Sequence, residues 1–168
     1  LYDWDRVDAA GNSRPLHIKK ALDVIQFAGQ RTEPVTGVTV AHAAGQKAIM
    51  VANRYFALEI LLVQGTVTEA TEGERFHLLT CLEGSFVLEA DGHGTHVVLQ
   101  PGDSVLVPAC CETYSLTGAG EVMKCYVPDI RQNIIEPLMS HGYSYSDITK
   151  MVAGLGDYRT SYLPLAEG

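Results

Sequence analysis

No apolar run in this chain approaches the ~20 residues that a membrane-spanning helix needs. The longest, around Ile60 to Val63, is far too short. The amino terminus has no basic segment followed by an apolar stretch, so it does not read as a secretory signal. It also lacks an initiator methionine, and a chain opening on Leu1 is expected to be a fragment, a processed form or a chain missing its upstream part. Basic residues are scarce: 12 Lys and Arg against 20 Asp and Glu give a net charge of −8. They are scattered, with Lys19-Lys20 the only adjacent pair. Nucleic acid and anionic membrane reward clustered Lys and Arg, so neither is an expected partner. The four cysteines, Cys81, Cys110, Cys111 and Cys125, show no C-x-x-C or paired zinc-ribbon spacing. Cys81 and Cys125 lie in apolar strand-like runs, where a free cysteine acts as a small hydrophobe. Adjacent Cys110-Cys111 reads as part of a structural loop rather than as a redox pair. A reducing, cytoplasmic setting is expected.

What remains is an ordinary globular composition. The 168 residues are 46% hydrophobic and 19% charged, enough for one domain with a sizeable core and a small appendage. Pro15 to Phe27 reads as a short helix capped by Asn12 or Ser13, with Ile18, Ala21, Leu22 and Ile25 on one face and Gly29 at its end. Arg31 to Gly37 reads as a loop. From Val38 the period changes to short strands punctuated by glycine. Val38–Val40, Arg54–Val63, Val67–Ala70, Phe76–Leu82, Ser85–Ala90, His96–Leu99, Ser104–Val107, Thr113–Leu116 and Val122–Val127 are the candidates. Such a pattern predicts an all-β sandwich or barrel. Beyond Pro128, Asp129 is expected to cap a helix from Ile130 to about Ser140, strained or broken at Pro137. Ser146 and Asp147 start another, through Ala153, ended by Gly154. The acidic charge sets aside a helix-turn-helix reading of this pair. The expected organisation is 1–37 as a linking segment with a short helix, 38–128 as the β-barrel, and 129–168 as a helical appendage.

The run Phe76-His77-Leu78-Leu79-Thr80-Cys81-Leu82-Glu83-Gly84, followed by Pro101-Gly102-Asp103-Ser104-Val105-Leu106-Val107-Pro108, resembles the paired motifs of cupins. In those jelly-roll barrels the motifs read G-x5-H-x-H-x3–4-E-x6-G and G-x5-P-x-G-x2-H-x3-N. Gly84, Gly102 and Pro108 match the structural positions. The ligand positions do not match. Ala70 and Glu72 stand at the two histidine positions, His77 at the glutamate position and Thr113 at the second motif's histidine. Glu72 and His77 are the remaining metal-ligand candidates, five residues apart and expected on one bent strand. Two donors fall short of the three or so that an open metal site requires, so no metal is expected in this barrel.

The flanks narrow the resemblance. Leu1-Tyr2-Asp3-Trp4-Asp5-Arg6 and Arg14-Pro15-Leu16-His17-Ile18-Lys19-Lys20-Ala21-Leu22-Asp23-Val24-Ile25 are similar to the "LYDW-x-R" and "R-x-LHI-x-KALDVI" segments of bacterial type I mannose-6-phosphate isomerases. Arg54-Tyr55-Phe56-Ala57-Leu58-Glu59 resembles that family's "PYF-x-x-E" strand, and the two cupin-like runs resemble its second cupin unit. The likeness covers about residues 1 to 127, whereas residues 129 to 168 do not match the family pattern.

The resemblance implies interconversion of mannose 6-phosphate and fructose 6-phosphate by a zinc enzyme. It implies zinc ligands, and an arginine assisting proton transfer, in a catalytic cupin unit upstream of Leu1. No catalytic residue carries over to this chain, which would then be the carboxy-terminal, non-catalytic cupin domain, with the upstream catalytic domain as its partner. Arg6, near that junction, is the weak substrate-binding candidate, because a guanidinium matches phosphate oxygens. His17 and Lys20 could share a helix face, and an ion-pair or packing role is the plainer reading for all three. Two other readings stand beside this one: a stand-alone metal-free cupin that binds a sugar, sugar phosphate or regulatory partner, and a self-sufficient enzyme with a divergent metal site at Glu72 and His77. A barrel parted from its partner domain is expected to expose an apolar face and form homo-oligomers.

Overall fold

The computed structural model describes residues 4, 6–13, 15–25, 27, 36–90, 94 and 96–155. The chain divides into two compact units, Leu1–Pro34 and Val35–Gly168.

In the first unit, helix α1 (Ile18–Val24) starts three residues later than Pro15, with His17 at the capping position and no side-chain cap. Asn12 and Ser13 are engaged elsewhere. Ser13 bridges Val7 across a small turn, and Asp8 accepts from the amides of Ala10 and Asn12 at 2.8 and 2.9 Å. The turn thus holds Asn12 and Ser13 ahead of the helix, and His17 takes the capping position. Ile18, Leu22 and Ile25 are all exposed. The expected stop at Gly29 and most of the 31–37 loop lie outside the described residues.

The second unit is mainly β. Its strands are β1 (Val38–His42), β2 (Gly45–Ala52), β3 (Ala57–Ala70), β4 (His77–Ala90), β5 (His96–Leu99), β6 (Ser104–Val107) and β7 (Thr113–Tyr126). They form one antiparallel sheet in the order β1-β2-β3-β7-β4-β5. Strand β6 lies beside the first half of β4, and β5 beside the second half.

Three of the expected strand breaks are continuous strands. Val67–Ala70 extends β3, Phe76–Leu82 and Ser85–Ala90 merge into β4, and Thr113–Leu116 and Val122–Val127 merge into β7. The glycines between them do not turn the chain. Gly84 (φ +85°) and Gly120 (φ +138°) face each other across β4 and β7. A Cβ on Gly84 would lie 1.9 Å from the Ala119 carbonyl oxygen, and one on Gly120 would lie 2.1 Å from that of Glu83. They permit the close strand approach by which a long sheet bends toward closure. A register shift between Cys81 and Glu83 adds to the bend. Strand β3 begins at Ala57 rather than Arg54, because the Asn53 side chain accepts from the amides of Tyr55 and Phe56 in a local turn. Strand β2, a run without strict alternation, was not anticipated.

After β7 the chain forms a π-helical turn over Ile130–Ile135, then α2 (Glu136–Ser140) and α3 (Tyr145–Met151). Asp129 caps the first, accepting from the Gln132 amide at 2.9 Å. The widening before Pro137 accommodates a residue that cannot donate to a regular helix. Ser144, rather than Ser146, caps α3. Ile130, Ile134, Leu138, Ile148, Val152 and Leu155 share one buried cluster with Val38, Ile49, Ala57 and Tyr126 of the strands. Backbone bonds from Ala52 to Ala153 and from Ala153 to Met50, at 2.8 and 3.0 Å, stitch the segment to β2. A second cluster, including Leu61, Val63, Leu79, Phe86, Leu116 and Val122, fills the rest of the barrel. Among the described residues no helix is long and apolar enough to cross a membrane.

Candidate functional site: a buried charge layer at the barrel mouth

Alternation along β3 points Ala57, Glu59, Leu61, Val63, Val67 and Glu69 inward. Glu59 and Glu69 are ten residues apart, about 33 Å if the strand ran straight, yet both pair with one ammonium group. The strand therefore curves strongly, and Gly65 (φ +130°) lies near its middle. The shared cation is Lys124 on β7, which stands opposite Glu59 in the register. Its Nζ is 2.8 Å from Glu59 Oε2 and also contacts Glu69 Oε2. All three groups are buried.

Burying charge is costly unless it is paired and hydrogen-bonded. Tyr126 donates to Glu59 Oε1 at 2.7 Å, and its ring lies 4.9 Å from the Lys124 ammonium. Lys47 of β2 approaches Glu59 at 3.9 Å. His42 of β1 places Nε2 2.6 Å from Glu69 Oε1, but neither atom finds a directed hydrogen bond among the described residues. The contact is close enough for His42 to help hold Glu69 below the ordinary carboxylate range, and it leaves a second lone pair on Oε1.

Burial alone would raise both glutamates, but the charges of Lys124 and Lys47 outweigh it and hold them below the ordinary carboxylate range. Burial would likewise lower Lys124, but Glu59 and Glu69 hold it well above the usual lysine value. Burial pushes Tyr126 up, reinforced by Glu59. His77, at the start of β4, is pushed down to about 4 by burial and by Lys124. It is a neutral imidazole at pH 7, its Nδ1 sharing a hydrogen bond of 2.9 Å with the Tyr114 hydroxyl.

Above this layer opens a cavity of about 320 Å³, lined among others by His42, Lys47, Glu69, Arg75, His77 and Gln132. Arg75 ties its rim together. It pairs with Glu72 at 3.0 Å and Glu74 at 2.9 Å, and donates to the Asn133 side chain of the π-helical turn.

Both metal candidates from the sequence reach this cavity. They are not on one bent strand, however. Glu72 sits in the turn between β3 and β4 with φ +58°, its half-exposed carboxylate turned to Arg75, while His77 is buried and held by Tyr114. Arg6 is exposed in the Leu1–Pro34 unit, as are His17 and Lys20. Cys81 is a buried thiol of β4, Cys125 is half-buried in β7, and Cys110 and Cys111 form a short 3-10 turn.

Sequence reasoning missed Glu69, Lys124, His42 and Lys47, and it took Glu59 only as part of a motif. The available signal was a charge enclosed by apolar neighbours, as in Leu58-Glu59-Ile60 and Met123-Lys124-Cys125. In a strand, such a residue shares a face with core positions on either side.

The zinc implied by the resemblance does not fit this donor set. Among the described residues no three His, Cys, Asp or Glu side chains converge as ligands. The place between the two buried carboxylates is taken by the Lys124 ammonium.

Residues 46–127 match the family model described as mannose-6-phosphate isomerase, cupin domain. The Bacillus subtilis (strain 168) protein YvyI, whose name provisionally assigns it as a mannose-6-phosphate isomerase, is 27% identical over 124 residues. That match covers 70% of this chain and 36% of YvyI. A crystallised mannose 6-phosphate isomerase from Bacillus subtilis has the same fold at a TM-score of 0.60 and 22% identity, with 74% of this chain and 38% of that one covered. A phosphomannose isomerase variant from Salmonella typhimurium aligns at a TM-score of 0.54 and 19% identity, over 69% of this chain and 29% of that one. The chain thus spans little more than a third of the relative and of the Bacillus structure it matches. Residues 46–127, running from β2 to the end of β7, thus have the cupin fold and carry the match to the cupin domain of mannose-6-phosphate isomerases.

Proposed function

We propose that this chain is the carboxy-terminal, non-catalytic cupin domain of a zinc-dependent, cytoplasmic mannose-6-phosphate isomerase, packed against a catalytic cupin domain that holds the zinc and binds the sugar phosphate. The observation that carries the reading is the Lys124 ammonium between Glu59 and Glu69. Aldose–ketose exchange moves a proton between adjacent carbons, which calls for a base within reach and an electrophile to stabilise the developing oxyanion. Here the two buried carboxylates are committed to Lys124, and His77 is committed to Tyr114. With these groups committed to one another, the layer supports a non-catalytic role for this barrel.

The test is a coupled assay of the purified chain with mannose 6-phosphate, paired with elemental analysis after zinc incubation and dialysis. The expected outcome is turnover at the buffer rate and no retained zinc. Turnover far above the control, or about one equivalent of zinc held, would make this barrel an active site, beginning with Glu72 and His77.

A further inference from the structure

We infer that the cavity at the barrel mouth is a binding site for a neutral, hydroxyl-rich small molecule of monosaccharide size. The inference stands on the cavity itself and does not depend on where catalysis occurs in the full-length enzyme.

Its volume, about 320 Å³, is at the lower end of the range for small-molecule sites, about 300–1,000 Å³. Its charges argue for a neutral occupant. Lys47, Arg75 and Lys124 are met by Glu59, Glu69 and Glu72, through contacts of 3.9 Å or less. An anion would have to displace a buried or half-buried carboxylate to reach Arg75 or Lys124, leaving that carboxylate unpaired, and a cation faces the same obstacle in reverse. Hydroxyl groups disturb no charge. Each can donate to a carboxylate and accept from an ammonium, guanidinium or amide.

The unmet capacity matches that pattern. Glu69 Oε1, buried in the wall, has His42 Nε2 at 2.6 Å and no second partner among the described residues, so one lone pair is left to accept. Among the described residues Lys47 makes one long ion pair, to Glu59 at 3.9 Å. The Gln132 side chain, exposed on the π-helical turn, brings an amide donor and acceptor to the lining. The rings of His77 and Tyr126, centroids 5.2 Å apart, add flat surface for the C–H face of a ring or chain.

The experiment is an amide NMR titration of the chain with neutral hexoses and hexitols (mannose, glucose, galactose, mannitol, myo-inositol) and, separately, with inorganic phosphate. At least one neutral probe should saturate, with shifts concentrated at residues 40–48, 68–77 and 130–134. Because Gln132 is exposed, Gln132→Ala should fold normally and weaken that probe about tenfold, the loss of one directed hydrogen bond. Lys47→Met, with its side chain at the edge of the layer, provides a second variant with the same expected direction. Saturation by phosphate alone would overturn the inference in favour of an anion site. No saturation by any neutral probe up to ~100 mM, shifts outside the cavity, or unchanged affinity in both variants would each overturn it as well; a Kd above that limit is weaker than about −1.4 kcal/mol.

Discussion

Leu61 and Glu59 are inward neighbours on β3, as Val122 and Lys124 are on β7, yet each pair straddles a chemical boundary. On one side lies the apolar layer of Leu61, Val63, Leu79, Phe86, Leu116 and Val122. On the other lies the charge layer of Glu59, Glu69 and Lys124, capped by His77 and opening onto the cavity. The same three bent strands build both layers, so backbone geometry does not distinguish them. What differs is how each layer tolerates loss. An apolar layer is stabilised roughly in proportion to buried area, and it degrades group by group. A buried charge layer holds only while complete, because removing one member leaves the others uncompensated.

Lys124→Met should therefore be the most damaging change, costing ~3–5 kcal/mol for the stranded carboxylates, read from urea midpoints. In that variant the two glutamates lose their main cation, so burial would raise their folded pKa above the unfolded value. Stability would then be recovered as pH falls and lost as pH rises. Adding Glu59→Gln and Glu69→Gln to Lys124→Met should restore much of the loss at pH 7. A Lys124→Met chain as stable as the parent would remove the distinction between the layers.

Leu61→Ala tests the other side. It should cost ~2–5 kcal/mol, the transfer and cavity terms of a fully buried leucine. That loss should be independent of pH between about 5 and 8, the opposite of the behaviour expected at Lys124. A pH-dependent loss at Leu61 would mean that the two layers are energetically one.

How far these layers could be read from the sequence follows the same boundary. The β class, the cupin resemblance, β5, β6 and the Asp129 cap are visible in local pattern, since short-range periodicity and turn chemistry determine them. The continuity of β3, β4 and β7 is not, because a glycine in a strand and a glycine in a turn look alike until the opposing carbonyl is in place. Gly84 illustrates this: its constraint is the Ala119 oxygen, 35 residues away in sequence. The charge layer was hidden for a similar reason. That Glu59 points inward follows from alternation, but that Glu69 reaches the same ammonium depends on the curvature of β3. Glu72 and His77 were chosen by motif counting and do reach the cavity, but their partners, Arg75 and Tyr114, could not be read from spacing.

The acid response of the parent chain sharpens the comparison further. Glu59 and Glu69 have lowered folded values, so their contribution is present above the ordinary carboxylate range and is lost as pH falls through it. His77 acts at higher pH. The unfolded chain takes up its proton near 6.5, whereas the folded one resists until about 4. Stability should thus begin to fall as pH drops below about 6.5, before the carboxylates titrate. His77→Gln, which keeps a hydrogen-bonding group near Tyr114, should move the onset of acid loss down toward the carboxylate range. A parent chain with a flat urea midpoint from pH 7 to 5 would contradict the burial of a neutral His77.

The smallest expected effect on stability lies on the outer face of β4 and its neighbour β6. Leu106 of β6 is 56% exposed and pairs across the sheet with Leu78, 39% exposed, while Phe76 just before β4 is 48% exposed. Apolar side chains grouped on an outer sheet face are a driving force for association once no partner covers them. We expect the chain alone to scatter as a concentration-dependent oligomer. Leu106→Lys should shift it to monomer while changing folding stability by no more than about 0.5 kcal/mol, as is usual for an exposed site. The charge layer makes this a clean separation. Lys124→Met should destabilise the chain without relieving association of the folded fraction, and Leu106→Lys should relieve association while leaving stability nearly unchanged. Light scattering that finds the parent chain monomeric at every concentration would show that this face needs no cover.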